Sequence, residues 1–228
     1  MPTQFVFKKG YFNFQAEFAR PALDLLSQPV AQKLAEELLT RLGPAHGMRI
    51  SHLKINHGDG DLGRANLGCS LFDFNAVLRI GLERLELETY YVERIGRETL
   101  SQGTLNAAQA MIAVAGKNPF SKWMVDLGLH GLLPGTTPKV FIGKFQKLQP
   151  SIGGALTGSA CSFYFGPLKE RLSCLIGLDM SAVVEDGLFF RKRTLWDAAA
   201  LPVEAFPERA SADLDSALAA LGLSLESE

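Results

Sequence analysis

Cys161-Ser162-Phe163-Tyr164 repeats Cys69-Ser70-Leu71-Phe72, and Ile176-Gly177-Leu178-Asp179 repeats Ile80-Gly81-Leu82-Glu83, in the same order along the chain. The offset is 92 to 96 residues, and self-similarity at a near-constant period is the sequence signature of a repeated structural unit. The elements around each copy agree in order: strand, helix, three strands and helix in the first half, then strand, loop, three strands and helix in the second. The first helix has no counterpart, because 131–138 is short and rich in Gly and Pro. These readings predict an α+β fold: an extended antiparallel sheet with helices packed on one face, built from a duplicated strand-helix-three-strand-helix unit. The two halves, 1–116 and 117–228, are expected to fuse into one continuous domain.

Outward from the repeat, Phe12, Phe14, Ala16 and Phe18 alternate with Tyr11, Asn13, Gln15 and Glu17, the period-two pattern of a strand that buries one face. Pro29 at a first helical turn, then Val30, Leu34, Leu38 and Leu42, with Gly43-Pro44 as the stop, read as an amphipathic helix. Residues 48–57 and 65–74 read as strands of a hairpin around the turn-forming Gly58-Asp59-Gly60-Asp61. Residues 77–92 fit both periods; the copy at 172–184 is poor helix material, which favours one long bulged strand. Thr104 is expected to cap a helix with Leu105, Ala108, Ile112 and Ala115 as its apolar stripe and Gly116 as its stop.

The second half opens with Trp123, Val125, Leu127 and Leu129 directed inward and Met124, Asp126 and His130 outward. Strands are expected over 139–148, 158–165 and 171–184, with 188–194 either extending the last or adding one more. Past Pro202 and Pro207, Ser211 is read as the cap of a final helix carrying Leu214, Leu218 and Leu221 and ending at Gly222.

The 228 residues are 47% hydrophobic and 21% charged, enough apolar material for one domain or two small ones. With 23 basic against 24 acidic side chains the net charge is -1, so no global field recruits nucleic acid or acidic lipid. No apolar run reaches the roughly 18 residues of a spanning helix, and 1–18 lacks the unbroken apolar run of a signal peptide, so a cytoplasmic protein is expected. Cys69, Cys161 and Cys174 are an odd number without a C-x-x-C pair, which argues against a disulfide framework and a zinc knuckle.

His52, His57, Asp59 and Asp61 are the densest cluster of metal-ligating or acid/base residue types. His52 and His57 fall on opposite faces of a strand, and a calcium loop opening at Asp59 would need a closing glutamate where Ser70 stands. No metal is therefore expected. No Gly-x-Ser-x-Gly elbow occurs, and the Gly-rich 153–158 lacks the Lys of a phosphate loop and precedes a strand, so no cofactor is expected either.

Charge is partitioned along the chain. Residues 117–193 carry ten basic against five acidic side chains, whereas 194–228 carry one arginine against seven acidic ones. Lys139, Lys144 and Lys147 interleave with Phe141 and Phe145, the mix of charge and rings that single-stranded nucleic acid uses. Lys139, Lys144, Lys147, Arg191, Lys192 and Arg193 are the residues expected to meet an anionic partner, and the acidic C-terminal region is expected to fold back near them.

The leading expectation is a non-catalytic binding or assembly protein that presents a broad sheet surface to a protein partner or to a second copy of itself, as a homo-oligomer. Single-stranded nucleic acid is a further candidate partner. The alternatives are a hydrolase or transferase using His57, Asp59 and Asp61, and a carrier of a small apolar ligand in a cavity between sheet and helices.

Overall fold

The structure, a computed structural model, describes residues 2–21, 48–54, 61–69, 74–81, 83–89, 109–110, 112–145 and 160–226, with single positions between 29 and 41. For 48–54, 61–69, 74–81 and 87–89 it describes the backbone alone. The strands are β1 (Thr3–Phe18), β2 (Met48–Lys54), β3 (Asp61–Cys69), β4 (Phe74–Gly81), β5 (Arg84–Thr89), β6 (Phe120–Leu132), β7 (Cys161–Phe165), β8 (Arg171–Met180), β9 (Leu188–Asp197) and β10 (Leu223–Glu226). All ten lie in one sheet, in the order β2-β3-β4-β5-β1-β6-β9-β8-β7, with β10 beside β1. β10 runs parallel to β1, and the other pairings are antiparallel. With helices α1 (Pro138–Gly143) and α2 (Phe206–Ala220), this is an α+β protein with a large sheet.

The two longest described strands, β1 and β6, pair antiparallel at the centre, where Phe12 to Phe18 and Trp123 to Leu129 both alternate apolar residues, with a register shift between Phe7 and Lys9. On one face Phe14, Ala16, Trp123, Val125, Leu127, Leu129, Phe190, Trp196 and Ile176 join a single buried core. Helix α2 closes it: the Phe206 ring lies 5.3 Å from Phe14, 6.3 Å from Trp123 and 5.4 Å from Trp196. The Trp123 indole N–H donates to the Leu201 carbonyl at 2.9 Å, so burying this ring leaves no donor orphaned. Helix α1 reaches the same face through Phe141 and Phe145, whose ring meets Phe163 of β7 at 5.9 Å.

Several elements depart from the sequence reading. Residues 77–92 are not one bulged strand: β4 ends at Gly81, β5 begins at Arg84, and the two pair antiparallel from Ala76 with Thr89 to Ile80 with Leu85. Where a strand is expected over 139–148, residues 139–143 belong instead to α1, in which Thr137 accepts the Val140 N–H and Pro138 occupies the first helical position, and 146–148 lie outside the described residues. Residues 188–194 belong to a strand of their own, β9. Helix α2 starts at Phe206, ahead of Ser211, and its stop at Gly222 adopts the left-handed φ of 69° that favours glycine. Strand β10 follows that stop and carried too short a pattern to read. The expected helices near 30 and 105 fall largely outside the described residues; positions 29, 33, 36, 37, 40, 41, 109, 110 and 112–115 are helical.

On either side of the β1–β6 pair the strands follow the same order, β5-β4-β3 outward from β1 and β9-β8-β7 outward from β6. The quoted repeats do not superpose on this order in register. Cys69 pairs with Phe74 and Cys161 with Leu178, so laying Cys69 on Cys161 carries Gly81 past the end of β8 and away from Gly177.

Candidate anion-binding face

A strand presents successive side chains to opposite faces, so the run Arg191-Lys192-Arg193 on β9 is divided between the two faces of the sheet. Lys192 pairs with Leu127 and faces the core beneath α2, where it is 4% exposed. Its ammonium is hydrogen-bonded to the Asp213 carboxylate from α2 and lies 2.5 Å from the Thr194 hydroxyl. The Thr194 hydroxyl donates to the same carboxylate at 3.0 Å. The acidic C-terminal region therefore does fold onto the basic strands, and it does so through the Asp213 carboxylate, whose side chain is 16% exposed.

Arg191 and Arg193 stand on the other face with Asp126 of β6, which is 3% exposed. Arg191 forks onto both carboxylate oxygens, Nε at 2.9 Å and Nη2 at 2.6 Å. Arg193 reaches Oδ2 with Nε at 3.1 Å and Nη2 at 2.6 Å. Burial alone would raise the Asp126 pKa, but the hydrogen bonds and charges of the two guanidiniums outweigh it and hold the carboxyl below its usual range. The same bonds raise the pKa of Arg191. One carboxylate against two guanidiniums leaves one positive charge, and the arginine side chains remain 34% and 44% exposed. Each keeps N–H donors that Asp126 does not use, in the fork geometry that suits carboxylate and phosphate oxygens.

The neighbours of this clamp shape its approach. Across the sheet one row runs Tyr11, Gly128, Arg191, Gly177 and Ser162, and the next runs Asn13, Asp126, Arg193, Leu175 and Tyr164. Gly128 is obligatory, since a Cβ there would collide with the Tyr11 ring that lies across it. Gly177 is not filled in this way: a Cβ there would meet only Arg191 at 3.7 Å and Ser162 at 3.9 Å. The result is a hollow beside Arg191, bordered at the sheet edge by Tyr164, which is 80% exposed. Asn13, opposite Asp126, has a buried side-chain oxygen with no hydrogen-bond partner among the described residues.

His130 belongs to the same face, stacked on Phe189 at 4.4 Å. The Ser181 hydroxyl oxygen accepts the backbone N–H groups of Val183 at 3.2 Å and Val184 at 2.9 Å. Its own proton is thus directed to His130 Nδ1 at 2.9 Å. Burial holds the His130 pKa below its ordinary value, in keeping with a neutral ring that accepts at Nδ1. His130 and Ser181 thereby tie the 181–187 turn to the sheet.

Of the residues expected to meet an anionic partner, Arg191 and Arg193 share this face and Lys192 is enclosed on the other. Lys139 and Lys144 accompany α1 on the helix side, with the Lys144 ammonium 5.1 Å from the Phe141 ring centroid. Lys147, His57 and Asp59 lie outside the described residues; Asp61 opens β3 opposite Gly81. Among the described residues no three His, Cys, Asp or Glu side chains gather as a metal site. Nor, among the described residues, is any helix long and apolar enough to cross a membrane. The role of Asp126 was missed because a lone outward aspartate reads as solvated. The signal lay in the apolar run around it, which marks a central strand covered on both faces, where a charge needs partners.

No protein-family model matches the chain, and no curated protein matches it either. The site therefore rests on its own geometry.

Proposed function

We propose that this chain is a non-catalytic binding protein whose outer sheet face, over β9, β8 and β7, holds an anionic partner, and that the partner is single-stranded nucleic acid. The observation that carries this reading is the row Arg193, Leu175, Tyr164: a guanidinium held in place by Asp126, an apolar floor, and an exposed aromatic ring. Two strand spacings, about 10 Å, separate the ring from the arginine, so a base stacked on Tyr164 leaves a phosphate of the same strand within reach of Arg193. Fluorescence anisotropy with a labelled oligonucleotide at low and moderate salt tests it. Tyr164→Ala should weaken binding by ~10-fold or more, the scale of one lost base stack. Arg193→Gln should also lower the salt slope by about one. Absence of binding by the wild-type chain at low salt overturns the proposal.

A second reading, self-association, has its own observation. Among the described residues the sheet ends at β7, where Tyr164, Phe165 and Leu168 are exposed on and beside an edge strand. Pairing of this edge with a second copy would make an isologous dimer. Light scattering on wild type and Phe165→Lys distinguishes the cases: a dimer that dissociates in the variant supports edge pairing, and a wild-type monomer rules it out.

A further inference from the structure

One hydroxyl holds the tip of the β8–β9 turn, 181–187, and its bonding capacity is full. Ser181 Oγ accepts the backbone N–H of Val183 at 3.2 Å and of Val184 at 2.9 Å, which uses both of its lone pairs, and it meets His130 Nδ1 at 2.9 Å. Only its proton is left for the imidazole, so the arrangement requires an unprotonated Nδ1. The base of the turn is closed separately, by the Ser181 N–H donating to the Gly187 carbonyl at 2.7 Å. Within the tip, Asp186 sits at a left-handed φ of 52°, a conformation that costs free energy in a residue with a Cβ, so the tip relies on the bonds that hold it.

An imidazolium carries a proton on both ring nitrogens. Its Nδ1–H points at an oxygen with no spare lone pair, and the Ser181 proton loses its acceptor. The hydroxyl can then accept from the ring only by giving up a backbone N–H, and the bond to Val183 is the longer and weaker of the two. We propose that His130 and Ser181 form a proton-operated latch: a second proton on the imidazole frees the tip of the turn at Val183, while the Ser181–Gly187 bond at its base stays closed. Among the described residues, the charged and titratable groups around the ring are Lys8, Lys9 and Tyr11 on β1, Arg191 on β9, Asp179 on β8 in the row through Phe189, and Glu185 and Asp186 on the turn itself. The three cations oppose a second proton, the three carboxylates favour it, and Tyr11 is neutral throughout. Burial also opposes it, with His130 only 7% exposed, so the latch is closed at neutral pH and opens below pH 6.5. It does not depend on the function proposed for the outer face.

Amide hydrogen exchange and ring chemical shifts, followed by NMR on the full chain from about pH 7.5 to about pH 5, test the latch. After correction for the intrinsic pH dependence of exchange, protection of the Val183 amide should fall by ~5-fold or more, the scale of one lost hydrogen bond. The fall should share its midpoint with the His130 ring, and the Ser181 amide should keep its protection. In His130→Asn the side-chain carbonyl takes the place of Nδ1 and does not titrate, so Val183 should stay protected across the range. Ser181→Ala changes only a surface turn and should show low protection of Val183 at every pH. Protection that stays constant in wild type while His130 titrates overturns the proposal. So does a pH-dependent fall of the wild-type size in either variant, or a ring that stays neutral until the whole chain unfolds.

Discussion

Asp126 and Asp213 hold the same three-residue run of β9 from opposite faces of the sheet, and they do so in different ways. Asp213 arrives from a helix and encloses Lys192, whose side chain is left 5% exposed. Asp126 comes from the adjacent strand and orders Arg191 and Arg193, which keep 34% and 44% of their side chains open. In each pair one charge is buried, the Lys192 ammonium in the first and the Asp126 carboxylate in the second. Only the second leaves cationic donors facing solvent, so one pair closes a core and the other prepares a surface.

The comparison breaks most readily at Asp213. Asp213→Ala leaves a buried ammonium without its carboxylate, and we expect a loss of about 3–5 kcal/mol in urea denaturation. Asp126→Ala should cost less, about 1–3 kcal/mol, because both guanidiniums can swing into water. Equal losses would show that the two faces are equally closed. Replacing both partners, Lys192→Met with Asp213→Leu, should return stability to within about 1 kcal/mol of wild type, since an apolar pair needs no compensation.

The next effect is at Gly128, next to Asp126 on the same face. Gly128→Ala forces the Tyr11 ring from its place, and overpacking of this kind costs about 1–3 kcal/mol. The companion change Tyr11→Ala removes the obstacle, so Gly128→Ala made in that background should cost less than in wild type. An unchanged cost would mean that the strand backbone, and not the ring, opposes a side chain here.

Acid titration separates two groups on the outer face. His130 has a folded pKa below the ordinary 6.5, so as pH falls the unfolded chain takes the proton first. Stability is full above 6.5 and declines as pH falls below it toward the folded value. Asp126, also depressed, contributes stability that is present above about 3.8 and lost as pH falls through its lower folded value. The melting temperature should drop in two stages, the first flattened in His130→Asn and the second in Asp126→Asn. A first stage that persists in His130→Asn would assign it to another group.

The central sheet was legible because period two is written plainly in Phe14, Ala16, Phe18 and in Trp123 to Leu129, and helix ends were legible where Gly116 and Gly222 mark them. Length was not. A break as short as the one between Gly81 and Arg84 reads as continuous strand, and α1 looks like a strand because Val140 and Ile142 alternate, although Thr137-Pro138 held the capping signal. The candidate site was half legible. Basic residues on β9 were evident, but three in a row cannot share a face, and the selection of Arg191 and Arg193 over Lys192 depends on which strand supplies Asp126. That pairing joins residues far apart in sequence, and no local pattern encodes it.

The smallest expected effect concerns Gly177, which flanks Arg191 opposite Gly128 and tests whether this side of the face is open. A Cβ there meets nothing closer than 3.7 Å, an ordinary contact. Glycine weakens a strand interior by roughly 0.5–1 kcal/mol relative to alanine, so Gly177→Ala should leave stability unchanged or raise it by up to about that amount. The same methyl occupies the hollow beside Arg191. If an anionic strand lies across that hollow, Gly177→Ala should weaken oligonucleotide binding without any loss of stability, and Gly177→Val should weaken it further. Stability and binding that fall together would show that the hollow is part of the packing. Binding that survives both changes would move the partner off this row and onto Arg193 and Tyr164 alone.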